Sequence, residues 1–238
     1  FKTCLLAFED RDFFNHFGVS FKAIARATVQ NIKEGEVVSG ASTLTMQTIR
    51  LSRKGKDRTV LEKCIEIALA FRLEWRHNKE QILRLYASHA PFGGNVVGLD
   101  AAAWRYFNRS AKDLSWAESA VLAVLPNAPS LIFPGKNNIQ LKEKRDRVLE
   151  YLFSVGTLDS LTYRLALLEP LPKRPLPLPQ MCNHLMNRIE QSGRKGLRTQ
   201  TTVDRVLQHQ VADVLERYKA EWRANQVYNA GALVVRVE

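Results

Sequence analysis

Through roughly the first two thirds of the chain, apolar residues recur at the spacing of one helix face after another. From Phe21 to Lys33, the residues Phe21, Ile24, Ala25, Thr28, Val29 and Ile32 fall on one helical face, and Lys22, Arg26 and Lys33 line its edge. Arg58 to Glu74 predicts a longer helix, and Lys79 to Ser88 predicts another after the polar break His77-Asn78. Leu114 to Leu125 predicts a further helix. Ser115 is its expected N-cap, Glu118 completes a capping box, and Pro126 and Pro129 end it. Lys142 to Phe153 is amphipathic with a charged outer face. Strand patterns are sparse, so this region is expected to be mainly α.

Arg58 to Glu74 is the most apolar of these helices. Val60, Leu61, Cys64, Ile65, Ile67, Ala68, Leu69 and Phe71 cover well over half its circumference, which predicts a largely buried helix with Cys64 inside. Thr59, Glu62, Lys63, Glu66, Ala70 and Glu74 occupy the remaining window, so Lys63 and Glu66 emerge together through a narrow polar opening. Ionisable groups rarely sit there without a partner or a task. An internal ion pair and a functional site both fit that placement.

The pattern then changes. PLPKRPLPLP, Pro170 to Pro179, holds five of the nine prolines and reads as an extended, semi-rigid linker. A polar, basic stretch follows, then a helical pattern from Thr202 to Glu221, then AGALVVRV, Ala230 to Val237, the best strand candidate. The expected organisation is a helical domain over 1–168, a linker over 169–199, and the start of a second domain over 200–238.

Composition narrows the function classes. The 238 residues are 45% hydrophobic and 25% charged, which is globular and excludes a disordered chain. No apolar run approaches the roughly 20 residues that span a bilayer. The chain lacks an initiator Met and Phe1 leads straight into an apolar stretch, so it reads as cut at its N-terminus, with any anchor out of sight. Cys4, Cys64 and Cys182 form no metal or redox pair. The net charge of +11 points to an anionic partner: nucleic acid, anionic lipid or a phosphorylated substrate. Zinc spacing, RNP aromatics and a basic zipper are all absent from the sequence, which counts against nucleic acid.

Two segments carry candidate chemistry besides Lys63 and Glu66. In FEDRDFFNHFG, Phe8 to Gly18, the acids Glu9 and Asp10 lie among phenylalanines. A carboxylate so placed tends toward a raised pKa, which suits a general acid or base; an acidic turn over an aromatic core is the structural alternative. GASTLTMQTIR, Gly40 to Arg50, offers Ser42, Thr43 and Thr45 as hydroxyls, with Gln47 and Arg50 at helical spacing. These suit a sugar or phosphate, or else Ser42 or Thr43 simply caps a helix.

Together these segments resemble the peptidoglycan glycosyltransferase domain of class A penicillin-binding proteins. E-D-x-x-F-x-x-H-x-G is matched by Glu9, Asp10, Phe13, His16 and Gly18. G-x-S-T-x-T-x-Q with a later basic residue is matched by Gly40, Ser42, Thr43, Thr45, Gln47 and Arg50. Lys63 and Glu66 match R-K-x-x-E, and Lys79, Ile82, Leu83 and Tyr86 match K-x-x-I-L-x-x-Y-x-N. APFGGN, Ala90 to Asn95, and AVLPNAPS, Ala123 to Ser130, look like the 1C branch of that family. QTTVDRVLQ, Gln200 to Gln208, is similar to the start of its transpeptidase region. Glu62 stands where the family often has arginine, Ser88 where it usually has asparagine, and Met46 where it often has glutamine.

The resemblance implies a lysozyme-like helical domain followed by a linker and the start of an α+β transpeptidase region. It implies an enzyme that polymerises lipid II into β-1,4-linked glycan with inversion, releasing undecaprenyl diphosphate. Glu9 would be the base and Glu66 the second catalytic carboxylate. Arg50, Lys63 and Arg58 would face the diphosphate, and Asp10, Ser42, Thr43, Gln47 and Tyr86 would bind substrate. Glu9 and Glu66 are expected to face each other across a cleft. Protein cations alone, or these with a divalent Mg or Mn ion, are the two arrangements open at the diphosphate. Lipid II, the growing strand, a membrane surface and other cell-wall synthesis proteins are the implied partners. The implied location is the periplasmic face of the bacterial inner membrane, with an N-terminal anchor outside this chain. The segment Phe17 to Ser39 would lie against lipid, its apolar residues edged by Lys22, Arg26 and Lys33. Two other readings stand beside this one: a lipid II-binding scaffold without turnover, and a lysozyme-like lytic enzyme using one protonated glutamate.

Overall fold

Helices make up the regular structure, the mainly α architecture that the apolar spacing predicts. The structure, a computed structural model, describes residues 1–34, 42–53, 59–178, 181–194, 197 and 199–235. The chain divides into two units, Phe1–Leu178 and Pro179–Glu238.

The first unit contains α1 (Lys2–Glu9), α2 (Phe21–Glu34), α3 (Leu44–Ser52), α4 (Val60–Arg76), α5 (Lys79–His89), α6 (Leu99–Phe107), α7 (Trp116–Val124), α8 (Asn138–Ser154) and α9 (Ser160–Leu168). α7 is its centre. The reciprocal Ser115–Glu118 capping box starts the helix, as the sequence predicts, and all its residues after Trp116 except Glu118 are buried. Small side chains let α1, α6, α8 and α9 pack closely around it. Arg145 of α8 is 1% exposed; it donates to Glu169 O at 2.6 Å and Leu167 O at 3.2 Å. A buried cation is thereby matched to the carbonyl-rich end of α9.

A second, smaller core joins Val19, Met46 and Ala70, with Ile24, Ile49, Ile67 and Phe71 packed around it. α3 links the two cores, because Leu44 belongs to the large one and Met46 to the small one. Its polar positions are consequently held between them.

The small core explains a departure from the sequence pattern. α4 is not the buried helix its apolar residues predict: Val60 and Leu61 are 83% and 71% exposed, and Cys64 is exposed. Its buried residues are Glu66 and Ala70. The face of α4 turned to α3 makes polar contacts, and the small core is too narrow to cover the rest. α2 divides similarly: Ala27 is buried and Ile24 packs on the small core, while Phe21 and Val29 point outward.

Gly18 has φ +71°, and a Cβ there would lie 3.1 Å from Ala70 C and Phe71 N. Its lack of a side chain lets the segment after α1 lie against the backbone of α4. Residues 170–178 of the Pro-rich stretch form neither helix nor strand, and Leu176 exchanges hydrogen bonds with Arg105 of α6.

The second unit contains α10 (Asn183–Ile189) and α11 (Arg205–Ala224), neither with a buried residue. The strand expected at Ala230–Val237 does not form over 230–235, and 236–237 lie outside the described residues. A strand is defined by its pairing, and no neighbouring strand exists for it among the described residues.

Candidate active site

α1 delivers Glu9 at its last residue and α3 meets it from the side. Gln47 Nε2 donates to Glu9 Oε2 at 2.7 Å, and the Tyr86 hydroxyl donates to Gln47 Oε1 at 3.4 Å. Glu9 Oε1 is buried and has no protein hydrogen-bond partner among the described residues. Burial pushes the Glu9 carboxyl above the usual carboxylate range; Gln47 and the charge of Lys144 pull it back, while Asp10 adds to the rise. Tyr86 is 1% exposed, and burial together with the Glu9 charge pushes its phenol up, keeping it neutral. It reaches the site through Gln47.

One turn further along α3, Arg50 meets Glu66 of α4. Nε donates to Oε1 at 2.7 Å and Nη2 to Oε2 at 2.8 Å. Lys63 Nζ lies 3.6 Å from Glu66 Oε2 and 2.5 Å from Ser42 Oγ, which also accepts from Arg50 Nη2 at 3.3 Å. Burial alone pushes Glu66 up, but the bonds and charges of Arg50 and the charge of Lys63 outweigh it, so its carboxyl is held below the usual range. The two readings of Lys63 and Glu66 therefore merge: they form an ion pair, and the pair belongs to a larger cluster.

Asp10 and Thr43 hold the backbone around these groups. Asp10 accepts from Leu44 N at 3.0 Å, at the start of α3, and lies 3.0 Å from His16 Nε2. Thr43 is the N-cap of α3, accepting from Met46 N, and its own hydroxyl donates to Gly18 O at 2.6 Å. Both polar ends of these side chains are engaged by the fold. Thr45 and Lys79 both reach Glu74 Oε1, at 2.6 and 2.7 Å, tying α3, α4 and α5 together. Gly40 and Arg58 lie outside the described residues.

Sequence periodicity did not single out Lys144, which it places among the charged residues of α8. Its charge acts on Glu9, and its Nζ donates to Asn127 Oδ1 at 2.8 Å. Its significance comes from a contact across the fold, which spacing within α8 does not reveal. A cleft of about 620 Å³ opens beside Glu9, lined by Phe8, Arg11, Arg26, Ser42 and Tyr151 among others.

The arrangement holds one carboxylate raised above the usual range by burial beside a cleft and a second held below it among cations. Residues 1–153 match the family described as Transglycosylase. The chain belongs to the transglycosylase family. Its class is that of the peptidoglycan glycosyltransferases, transferases of cell-wall glycan. This transglycosylase is 36% identical to penicillin-binding protein 1C of Escherichia coli over 215 residues, covering 90% of this chain and 28% of that protein. It is 38% identical to penicillin-binding protein 1A of Pseudomonas aeruginosa over 171 residues, covering 72% and 21%. A crystal structure of penicillin-binding protein 1A from Haemophilus influenzae shares 30% identity, covering 50% of this chain and 18% of that one, with a TM-score of 0.39. The chain spans about a quarter of the length of the curated relatives it matches. No helix among the described residues is long and apolar enough to cross a membrane.

Proposed function

We propose that this domain polymerises lipid II into β-1,4-linked glycan with inversion at the anomeric carbon, releasing undecaprenyl diphosphate. The observation that carries the reading is the split between the two carboxylates: Glu9 raised by burial with one oxygen unpartnered, Glu66 lowered by Arg50 and Lys63. Pairs of acids pushed in opposite directions are suited to different roles.

A sugar hydroxyl is a weak acid, so attack on the anomeric carbon requires a base. Glu9 takes the proton of the acceptor 4-hydroxyl as its oxygen bonds to the donor C1. The C1–oxygen bond to the diphosphate breaks with that electron pair, and the leaving charge is met by Arg50 and Lys63. Glu66 orients both cations, and Ser42 bridges them. Gln47 orients Glu9 and Tyr86 holds Gln47. Both Glu66 oxygens are engaged by cations, which favours protein cations over a divalent ion on that carboxylate. The leaving charge is assigned to protein cations.

Phe17, Phe21 and Val29 are 51%, 74% and 55% exposed, beside exposed Lys22, Arg26 and Lys33. Apolar residues edged by cations support contact with an anionic membrane surface, where a lipid-linked substrate resides. The periplasmic face of the inner membrane is the location in keeping with this substrate, and residues 200–238 are read as the start of a transpeptidase region.

The deciding experiment is polymerisation of labelled lipid II by the full chain and by Glu9→Gln in lipid vesicles. Glycan product from the parent and none from Glu9→Gln is expected. Equal product from both removes Glu9 as base. Lipid II binding without product from either protein would establish the scaffold instead, and release of soluble fragments from preformed glycan would establish a lytic enzyme.

A further inference from the structure

Arg11 follows α1 by two residues, and two contacts hold its guanidinium in place. Nε donates to Ala7 O, in the last turn of α1, at 3.1 Å, and Cζ lies 3.8 Å from the centre of the Tyr151 ring on α8. A guanidinium stacked on an aromatic face keeps both its plane and its charge. Neither terminal nitrogen, Nη1 or Nη2, has a protein partner among the described residues. The side chain is therefore oriented, while the end-on fork that suits two oxygens of one anion stays available.

Arg11 and Tyr151 both line the cleft of about 620 Å³ beside Glu9. Two of the acids in that lining are committed elsewhere: Asp10 to His16 and Leu44 N, and Asp12 to Lys22, whose Nζ lies 3.6 Å away. Arg26 lines the same cleft, and neither it nor Arg11 has a carboxylate partner among the described residues. The proposed reaction brings two diphosphates to the domain, because donor and acceptor are both lipid-linked. One departs from the donor at Arg50 and Lys63. The other stays on the acceptor, one disaccharide away from the 4-hydroxyl at Glu9, and keeps its charge throughout. Arg50 is held by Glu66 and Ser42, and Arg11 by Ala7 and Tyr151, so the two guanidinium groups belong to separate sets.

We infer that Arg11, held flat by Tyr151, binds the diphosphate of the acceptor and so sets the distance of its 4-hydroxyl from Glu9. This rests on the glycosyltransferase reading of the cleft. Arg11 is the binding residue, and Tyr151 is a positioning residue that acts through it. No bond to the acceptor diphosphate breaks, so this contact is as strong before transfer as during it, and its loss falls on KM. Arg50 differs, because the charge it meets grows as the donor bond breaks, and its loss falls on kcat.

The test uses the full chain in lipid vesicles, with labelled lipid II as substrate. Arg11→Gln is expected to raise KM about tenfold, as one charge-assisted contact is lost, and to leave kcat within about twofold. Arg11→Lys keeps the charge without the planar fork and is expected to recover part of the loss. Tyr151→Leu removes the stack and is expected to raise KM by a smaller factor. If Arg11 only capped α1, Arg11→Gln would lower the melting temperature and kcat through a displaced Glu9, with KM unmoved. An unchanged KM, or a fall in kcat alone, overturns the inference. Should Arg11→Gln melt early, Tyr151→Leu decides on the same criterion. A second arm uses lipid II with its stem-peptide carboxylates amidated. The same rise in KM is expected there; a rise that vanishes assigns Arg11 to a stem carboxylate and overturns the diphosphate assignment. A parent that forms no glycan fails the glycosyltransferase reading and Arg11 with it. Glycan from the parent, beside an Arg11→Gln of equal KM, removes Arg11 alone.

Discussion

Gln47 holds Glu9 by one oxygen only, donating to Oε2 at 2.7 Å while Oε1 stays without a protein partner. A base needs a fixed direction and an available lone pair, and this contact supplies the first without removing the second. The bond also favours the carboxylate over the acid, partly countering burial. Gln47→Ala is therefore expected to lower kcat by about a hundredfold through lost orientation. It is also expected to move the acid limb of the kcat/KM profile to higher pH, because the Glu9 anion loses a stabilising donor. A KM effect alone, with the limb unmoved, would place Gln47 on the substrate instead.

Glu66 has the opposite dependence. Its carboxyl is held below the ordinary range by Arg50 and Lys63, so it stabilises the folded state above the unfolded pKa. That contribution is lost as pH falls through the lower, folded pKa. Glu66→Gln is expected to reduce stability at neutral pH by about 2 kcal/mol, less than for a fully buried pair because solvent screens Arg50. In urea melts from pH 7 to pH 3, the gap between variant and parent is expected to narrow toward acid. A constant gap would assign the loss to packing alone.

Much of this was legible in the chain, for physical reasons that differ by element. The Ser115–Glu118 box and the paired prolines fixed the limits of α7 because capping is local chemistry. The four segments carrying Glu9, Gln47, Lys63 and Tyr86 were legible as a set through the family resemblance of their motifs, and four helices bring them in: Tyr86, Gln47 and Glu9 join in one hydrogen-bonded chain, while Lys63 joins the Arg50–Glu66 cluster through Ser42. The burial of α4 was misread: periodicity reports which residues share a face, and says nothing of whether a neighbour is large enough to cover it. Val60, Leu61 and Cys64 stand exposed while Glu66 is 5% exposed. The strand at the C-terminal end failed similarly, since apolar and β-branched residues make a strand only when another strand pairs with them. Asp10 and Thr43 line the cleft beside Glu9, as expected of substrate-binding residues, and they also hold the start of α3. Helix termini and anions recruit the same residue types, so sequence alone does not separate the two uses.

Gly18 is a motif residue whose role is geometric. At φ +71° a side chain is strained, and its Cβ would press on backbone atoms of Ala70 and Phe71 that have little freedom to yield. Gly18 also presents the carbonyl that receives the Thr43 hydroxyl. Gly18→Ala is expected to destabilise the domain by about 1–3 kcal/mol, read from urea denaturation. Polymerisation is expected to fall with it, because the shift displaces the cap of α3 and with it Gln47. A variant as stable as the parent would show that this segment moves freely against α4.

Lys144 offers the sharpest electrostatic test of the base. It stands on α8, a helix that carries none of the family's motif residues named above, yet its charge lowers the pKa of Glu9. Its ammonium donates to the Asn127 side-chain Oδ1 at 2.8 Å, which holds it in place. Removing a positive charge disfavours the Glu9 anion, so Lys144→Met is expected to raise the Glu9 pKa further. Because the deprotonated form is the active base, the acid limb of kcat/KM moves to higher pH. The loss is then largest on the acid limb and shrinks as rising pH restores the anion. Lys144→Arg keeps the charge and is expected to retain most of the parent profile. A loss equal at every pH, unrescued by arginine, would mean that Lys144 contacts the substrate directly rather than acting through Glu9.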